Sequence, residues 1–179
     1  MTEKELVFQL KQKKTQSKAF KVLVDQYKER LYWHIRKIVI HHQDADDVLQ
    51  NTFVKVLNHI QNFKEDSKLY TWMYRIATNE SINYIQKRAK VLNVDLQDYQ
   101  TQLANTLQDD ELFDGEQIQI LLQKAIARLP QKQQLVFNMK YFDEMKYEDM
   151  SEILDTSVGA LKASYHHAVK KIENYLKQH

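Results

Sequence analysis

The chain has 179 residues, enough for one or two hydrophobic cores, and its 28% charged and 43% hydrophobic residues are ordinary for a globular protein. Cysteine is absent, which excludes disulfides and thiolate metal sites, and two glycines with one proline leave few turn formers for a sheet, which predicts an all-α fold. The net charge of +2 gives no whole-chain sign of a nucleic-acid partner, so any such sign has to come from where the charges lie.

At the N-terminus, MTEKELVFQLKQKK has no apolar signal-peptide core, and no run in the chain approaches the ~18 apolar residues of a membrane span. A cytoplasmic protein without membrane insertion is expected. Thr2 with Glu5 three residues on fits a capping box, and Leu6, Val7 and Leu10 give this short helix an apolar side. Ser17 is placed to cap a second helix, in which Ala19, Phe20, Leu23, Val24, Tyr27, Leu31, Ile35, Ile38 and Val39 recur at helical spacing to about Ile40. The third reads DADDVLQNTFVKVLNHIQNF, with Asp44 as its expected cap and Ala45, Val48, Leu49, Phe53, Val56, Leu57 and Ile60 as its apolar positions. Asp44, Asp46 and Asp47 suit the positive end of a helix dipole and lack the spacing of a calcium loop. Asp47, Gln50, Asn51 and Lys55 remain as a polar face able to dock a partner.

The stretch Phe63–Arg88, FKEDSKLYTWMYRIATNESINYIQKR, interleaves aromatics and bases. That mixture suits a single nucleic-acid strand, because rings stack on bases and cations follow phosphates. Lys64 to Lys68, with Glu65, Asp66 and Ser67 between, reads as a turn-forming loop. From Thr71 the pattern is helical: Arg75, Asn79, Asn83 and Gln86 share one stripe with Trp72 and Ile76 beside it, while Met73, Ala77 and Tyr84 lie on another face. Core packing with a solvated face explains the same pattern, and the aromatics are able to serve both purposes.

From Ala89 to Gly115 the acids Asp95, Asp98, Asp109, Asp110, Glu111 and Asp114 face a single base, Lys90, which predicts a partly ordered acidic linker, either a solvated tether or a mimic of nucleic acid. The expected organisation is therefore an N-terminal helical domain at 1–88, a linker at 89–115 and a C-terminal domain at 116–179. In the last, Ile118, Leu121, Leu122, Ala125, Ile126 and Leu129 stripe one helix, and Pro130 stops it and opens the next. Tyr147 to Leu154, the turn Asp155-Thr156-Ser157 and a long helix from Val158 then form a helix-turn-helix pattern. Ser157, Val158, Ala160, Lys162, Ala163, Ser164, His166, His167, Lys170 and Lys171 are its candidate duplex-reading residues, small near the start for close approach and basic further along for phosphate. His166 and His167 point about 100° apart on a helix and do not read as a metal site.

In this order the elements resemble the extracytoplasmic-function group of bacterial sigma factors. The segments that carry the resemblance are DADDVLQNTFVKVL, FKEDSKLYTWMYRIATNESINYI and ARLPQKQQLVFNMKYFDEMKYEDMSEILDTSVGALKASYHHAVKKI. It implies a transcription initiation factor that is not an enzyme, needs no cofactor, and has core RNA polymerase, promoter DNA and an anti-sigma factor as partners. It implies that Asp47, Gln50, Asn51 and Phe53 dock on the polymerase, and that Phe63, Ile76 and Asn79, with Asn83 adjacent, hold a base flipped from the −10 element. Lys64, Ser67, Trp72 and Arg75 complete that strand-binding set, and the helix from Ser157 is implied to read the −35 element. Two departures stand out: Ala163, Tyr165, His166 and His167 occupy a helix often rich in arginine, and Glu65 stands in a loop where glycine is common. An ordinary helix-turn-helix regulator and a helical enzyme are the competing readings, and the sequence offers the second no nucleophile–base pair, phosphate loop or metal spacing.

Overall fold

In a computed structural model, which describes residues 1–109 and 116–179, the ordered elements are helical throughout. The N-terminal half consists of α1 (Glu3–Leu10), α2 (Gln16–Val39), α3 (His42–His59), a 3-10 turn (Ile60–Asn62) and α4 (Leu69–Val91). α1 opens with the predicted capping box: the Thr2 side chain accepts from Glu5 N, and the Glu5 carboxylate accepts from Thr2 N at 2.8 Å. Leu23, Leu31 and Ile35 of α2, Val48 and Val56 of α3, and Met73, Ala77 and Ile85 of α4 fill a common core. The expected caps of α2 and α3 differ. Ser17 lies inside α2, and α3 begins at His42, before Asp44. Asp44 instead accepts from Tyr84 Oη at 2.6 Å and ties α3 to α4. Burial, followed by this bond, raises the Tyr84 phenol from 10.0 to about 12.

The corner between α2 and α3 is strained. Ile40 has φ 73° and ψ −55°, and His41 N bonds to Val39 O at 2.9 Å, a γ-turn of the rare positive-φ kind around a β-branched residue. The Arg36 guanidinium donates to the Ile40 carbonyl at 2.6 Å and holds the corner.

The acidic span corrects the sequence reading. Leu96–Asn105 is a regular helix, α5, capped by Asp95 and continued by a 3-10 turn from Thr106. Leu96, Tyr99, Leu103 and Leu107 recur at helical spacing, and the last three are buried. The abundance of acids on the other faces hid this stripe. Asp110, Glu111, Asp114 and Gly115 of the expected linker lie outside the described residues. α5 also carries Gln100, whose side-chain amide exchanges two buried 3.0 Å hydrogen bonds with that of Gln134.

The C-terminal half comprises α6 (Gln117–Ala127), α7 (Gln131–Phe137) running into a π-helical turn (Asn138–Phe142), α8 (Tyr147–Leu154) and α9 (Val158–Gln178). Ala125, Ile126, Leu129, Phe137, Ala168 and Ile172 form a core of its own. A second apolar set from this half, including Leu135, Met139, Met150, Ile153 and Leu161, is continuous with the N-terminal core. The two halves are therefore packed together and not merely tethered. None of the helices among the described residues is long and apolar enough to cross a membrane.

Candidate nucleic-acid interface

Three surfaces gather the predicted site residues. On α3, Asp47, Gln50 and Asn51 are exposed and form the expected polar strip. Phe53 does not join them: it is 6% exposed and packs edge-on against Phe20, with ring centroids 6.1 Å apart. Its position one turn from the strip misled the sequence reading, because the core stripe of α3 passes beside it. Lys55, on the same helix, pairs with Glu80 of α4.

The second surface is the loop 63–68 with the start of α4. The loop is anchored from below by α1 and its C-terminal end. Lys11 Nζ donates to the Phe63 carbonyl at 2.8 Å, and Leu69 N donates to the Glu3 carboxylate at 2.9 Å. Phe63 is only 4% exposed; Trp72 lies over it at 5.0 Å with the rings tilted by 38°. Phe63 is thus the floor of the site in this conformation, with half-buried Trp72 and Ile76 nearer the surface and Ser67 beside them. Lys64 is exposed at the loop. Glu65, also exposed, has φ 61°, the left-handed region that glycine enters without a Cβ penalty. This gives a physical reason for the glycine often seen at this loop.

Along α4, Arg75, Asn79, Asn83 and Gln86 are exposed, in the predicted stripe. The opposite side of the helix carries Thr71, Thr78 and Ser81, all buried. Thr78 and Ser81 return hydrogen bonds to carbonyls of their own helix at 2.7 Å, so small polar residues let α4 press closely on its neighbours without orphaned groups. Tyr70 is covered by the Arg30 guanidinium, 4.0 Å from its ring centroid. The amide edges of Asn79 and Asn83 therefore project from a helix whose other faces are filled. Arg75 and Asn79 also line a cleft of about 310 Å³ closed on its far side by Ile153 to Thr156.

The third surface is α8–α9. Asp155, at φ 51°, ends α8 in the left-handed conformation, and the Ser151 hydroxyl donates to the Thr156 carbonyl at 2.6 Å to fix the turn. Ser157 caps α9 by accepting from Ala160 N at 3.2 Å, which commits its hydroxyl to the fold. Ala160, Lys162, Ala163, His166, His167, Lys170 and Lys171 are exposed, whereas Val158 and Ser164 are half-buried. Gly159 was missed. It lies exposed in the first turn of α9, and a Cβ there would meet nothing within 4 Å, so the fold itself has no use for its lack of a side chain. The sequence signal was available: a glycine inside a helix costs about 1 kcal/mol against alanine.

Also missed were residues that join the halves. Lys37 Nζ donates to Asp143 Oδ1 at 2.7 Å. His34, 1% exposed, stacks on Tyr74 at 4.0 Å. The Thr78 hydroxyl already donates to the Tyr74 carbonyl, so it accepts from His34 Nε2 at 2.7 Å, and the Nδ1 lone pair is turned toward Asp143 Oδ2, 3.6 Å away. Burial pushes the His34 pKa down, which keeps the ring neutral and leaves Lys37 as the charged partner of Asp143. Nothing in local periodicity foretells contacts between residues 106 positions apart.

Comparison with known proteins agrees with this division. The sigma-70 region 2 family matches residues 23–91, and the sigma-70 region 4 family matches residues 119–172. The ECF RNA polymerase sigma factor SigW of Bacillus subtilis is 29% identical over 173 residues, covering 92% of each chain. An ECF RNA polymerase sigma-E factor of Haemophilus influenzae is 29% identical over 167 residues, covering 88% of this chain and 87% of the relative. Among solved structures, CnrH in complex with the cytosolic domain of CnrY superposes with a TM-score of 0.72 at 22% identity, covering 98% of this chain and 97% of the other. The sigma factor RpoE in complex with the anti-sigma factor NepR from Bartonella quintana superposes with a TM-score of 0.68 at 20% identity, covering 89% and 98%. These two likenesses concern the fold.

Proposed function

The chain belongs to the sigma-70 family, in its extracytoplasmic-function group, as a factor that directs RNA polymerase to promoters, and from that premise we propose how its surfaces divide the work. The N-terminal domain, 1–88, docks on core polymerase through Asp47, Gln50 and Asn51 of α3, and Phe53 supports that strip from the core. The same domain opens the −10 element and captures a base of the displaced strand. Asn79 and Asn83 offer amides to base edges, Trp72 and Ile76 offer an apolar wall over Phe63, and Arg75, Lys64 and Ser67 meet the strand backbone. The C-terminal domain, 116–179, reads the −35 duplex with α9. Its first turn, through Gly159, Ala160 and Ala163, approaches the groove, and Lys170 and Lys171 bind phosphate further along.

The observation that carries the reading is the exposed stripe Arg75, Asn79, Asn83 beside Trp72, on a helix whose remaining faces are packed. Mechanistically the protein contributes binding free energy and no bond-making step. Extruding a base costs a few kcal/mol, least where the duplex is already unpaired. An amide pairing with a base edge is worth about 1–3 kcal/mol, and stacking is of similar size, so two or three such contacts offset the cost. The protein works in the cytoplasm, and an anti-sigma factor is its expected regulator, by analogy with RpoE of Bartonella quintana in its complex with the anti-sigma factor NepR.

The test is run-off transcription with purified core polymerase, together with core binding by the double variant Asp47→Ala/Gln50→Ala. Promoter-specific transcripts that depend on the protein, and weaker core binding by a variant of unchanged helicity, are the expected results. Full core affinity in the double variant removes α3 as the docking surface.

A further inference from the structure

The face of α4 assigned above to the promoter strand is not open along its whole length, because α8 and the turn after it lie across it. Beside the cleft that holds Asn79, a second cleft of about 310 Å³ sets Ser67, Trp72 and Arg75 against Ser151, Glu152 and Asp155. The polar contacts across this joint run in one sense. Lys68 Nζ lies 3.6 Å from Asp149 Oδ2, and Arg75 Nη1 donates to the Glu152 carbonyl at 3.4 Å. The N-terminal half supplies the cations and the C-terminal half supplies carboxylate and carbonyl oxygens, the chemistry that a phosphate backbone would present to the same side chains. On the far side of α4 the joint is closed by the Lys37–Asp143 pair, whose side chains are 17% and 12% exposed. The base-reading positions of α9, in contrast, face solvent.

We infer that in the free protein the C-terminal domain masks the strand-reading face of α4, with α8 in the place of the promoter strand and Lys37–Asp143 as the clasp. The inference rests on the strand-reading role proposed for α4. Strand binding then requires the two halves to part, and the measured dissociation constant is the intrinsic one divided by the open fraction. Exposed pairs such as Lys68–Asp149 contribute little to closure. The clasp is different, because removing one partner leaves the other desolvated and unpaired. Neutral His34 offers Asp143 no proton, so Lys37 has no substitute there. Duplex binding by α9 alone needs no opening, so closure suppresses one kind of DNA binding and spares the other.

The absence of cysteine allows two to be introduced in the full chain, Asn58→Cys on α3 and Asn174→Cys on α9, both at exposed positions, for energy transfer between the halves. In this background Asp143→Ala is compared with the parent for transfer efficiency and for binding to a mixed-sequence single-stranded DNA of about 16 nucleotides. Lower transfer, strand binding tighter by about tenfold and unchanged binding to duplex DNA are expected. The swapped pair Lys37→Asp/Asp143→Lys should return both readings toward the parent. Where Asp143→Ala does not fold, Lys37→Met removes the same charge and keeps an aliphatic stem against the Phe142 ring, which Lys37 Nζ approaches at 5.0 Å. Unchanged transfer in a folded clasp variant overturns the clasp. Opening without tighter strand binding overturns the mask, and Asn79→Ala in the polymerase-bound form then separates the causes. If that variant still impairs promoter opening, the masking alone is wrong; if it does not, the strand-reading role of α4 falls as well.

Discussion

Glu65→Gly is expected to stabilise the protein slightly. Glu65 is one of five described non-glycine residues with positive φ, and at 61° it sits in the left-handed well, in the loop that precedes α4. A left-handed L-residue costs roughly 1–2 kcal/mol, and glycine removes that cost while adding about 0.5–1 kcal/mol of unfolded-chain entropy. The Glu65 side chain is exposed, so little packing is lost. The difference is a gain of about 0.5–1 kcal/mol, which for a chain of this size raises the melting temperature by roughly 1–4 °C. Differential scanning calorimetry of both proteins reads it directly. Asp155→Gly is the matched control, since Asp155 has φ 51° at the C-terminus of α8, away from the loop. A melting temperature lowered by about 2 °C or more in Glu65→Gly would show that the side chain stabilises the loop by more than its backbone costs, and would refute the reasoning.

Gly159→Ala should stabilise α9 by about 1 kcal/mol in thermal melts and weaken duplex binding, because the added methyl meets nothing in the fold and stands where the groove is approached; unchanged duplex affinity would remove Gly159 from the interface. Lys171→Ala should weaken binding to all duplex sequences alike and flatten the salt dependence by about 0.9 in log–log slope, and a change of sequence preference at constant slope would reverse the orientation proposed for α9. The Tyr84 phenol is raised from 10.0 to about 12 in the fold, so its protonated form contributes stability that is present below pH 10 and lost as pH rises through about 12. Spectrophotometric titration of wild type minus Tyr84→Phe should show one tyrosinate step near 12, and a step near 10 would mean that the bond to Asp44 does not persist.

The helices were legible because their stripes are local. Leu23, Leu31 and Ile35, or Met73 and Ala77, repeat at helical spacing and are buried where the pattern puts them. The exposed stripe Arg75, Asn79, Asn83 followed from the same count. Phe53 and Phe63 were harder, since an aromatic at the edge of a polar strip reads equally as contact or core, and tertiary packing against Phe20 and Trp72 decided for the core. α5 was hidden by composition: the acids drew attention from Tyr99, Leu103 and Leu107. The joint between the halves was not readable at all. Lys37, His34 and Asp143 are unremarkable in sequence, and their meeting depends on how α7 and its π-helical turn come back onto α2.

Open-complex formation by the polymerase-bound Asn79→Ala variant tests the central claim most directly, because Asn79 stands on the exposed face of α4 and outside both cores. Permanganate footprinting compares a duplex promoter with a template already mismatched across the −10 element. Unchanged melting temperature and core binding are expected, with opening reduced on the duplex by an amount equivalent to about 1–3 kcal/mol and reduced less on the mismatched template. Normal opening on the duplex by a variant of lowered thermal stability would make Asn79 structural and contradict the account.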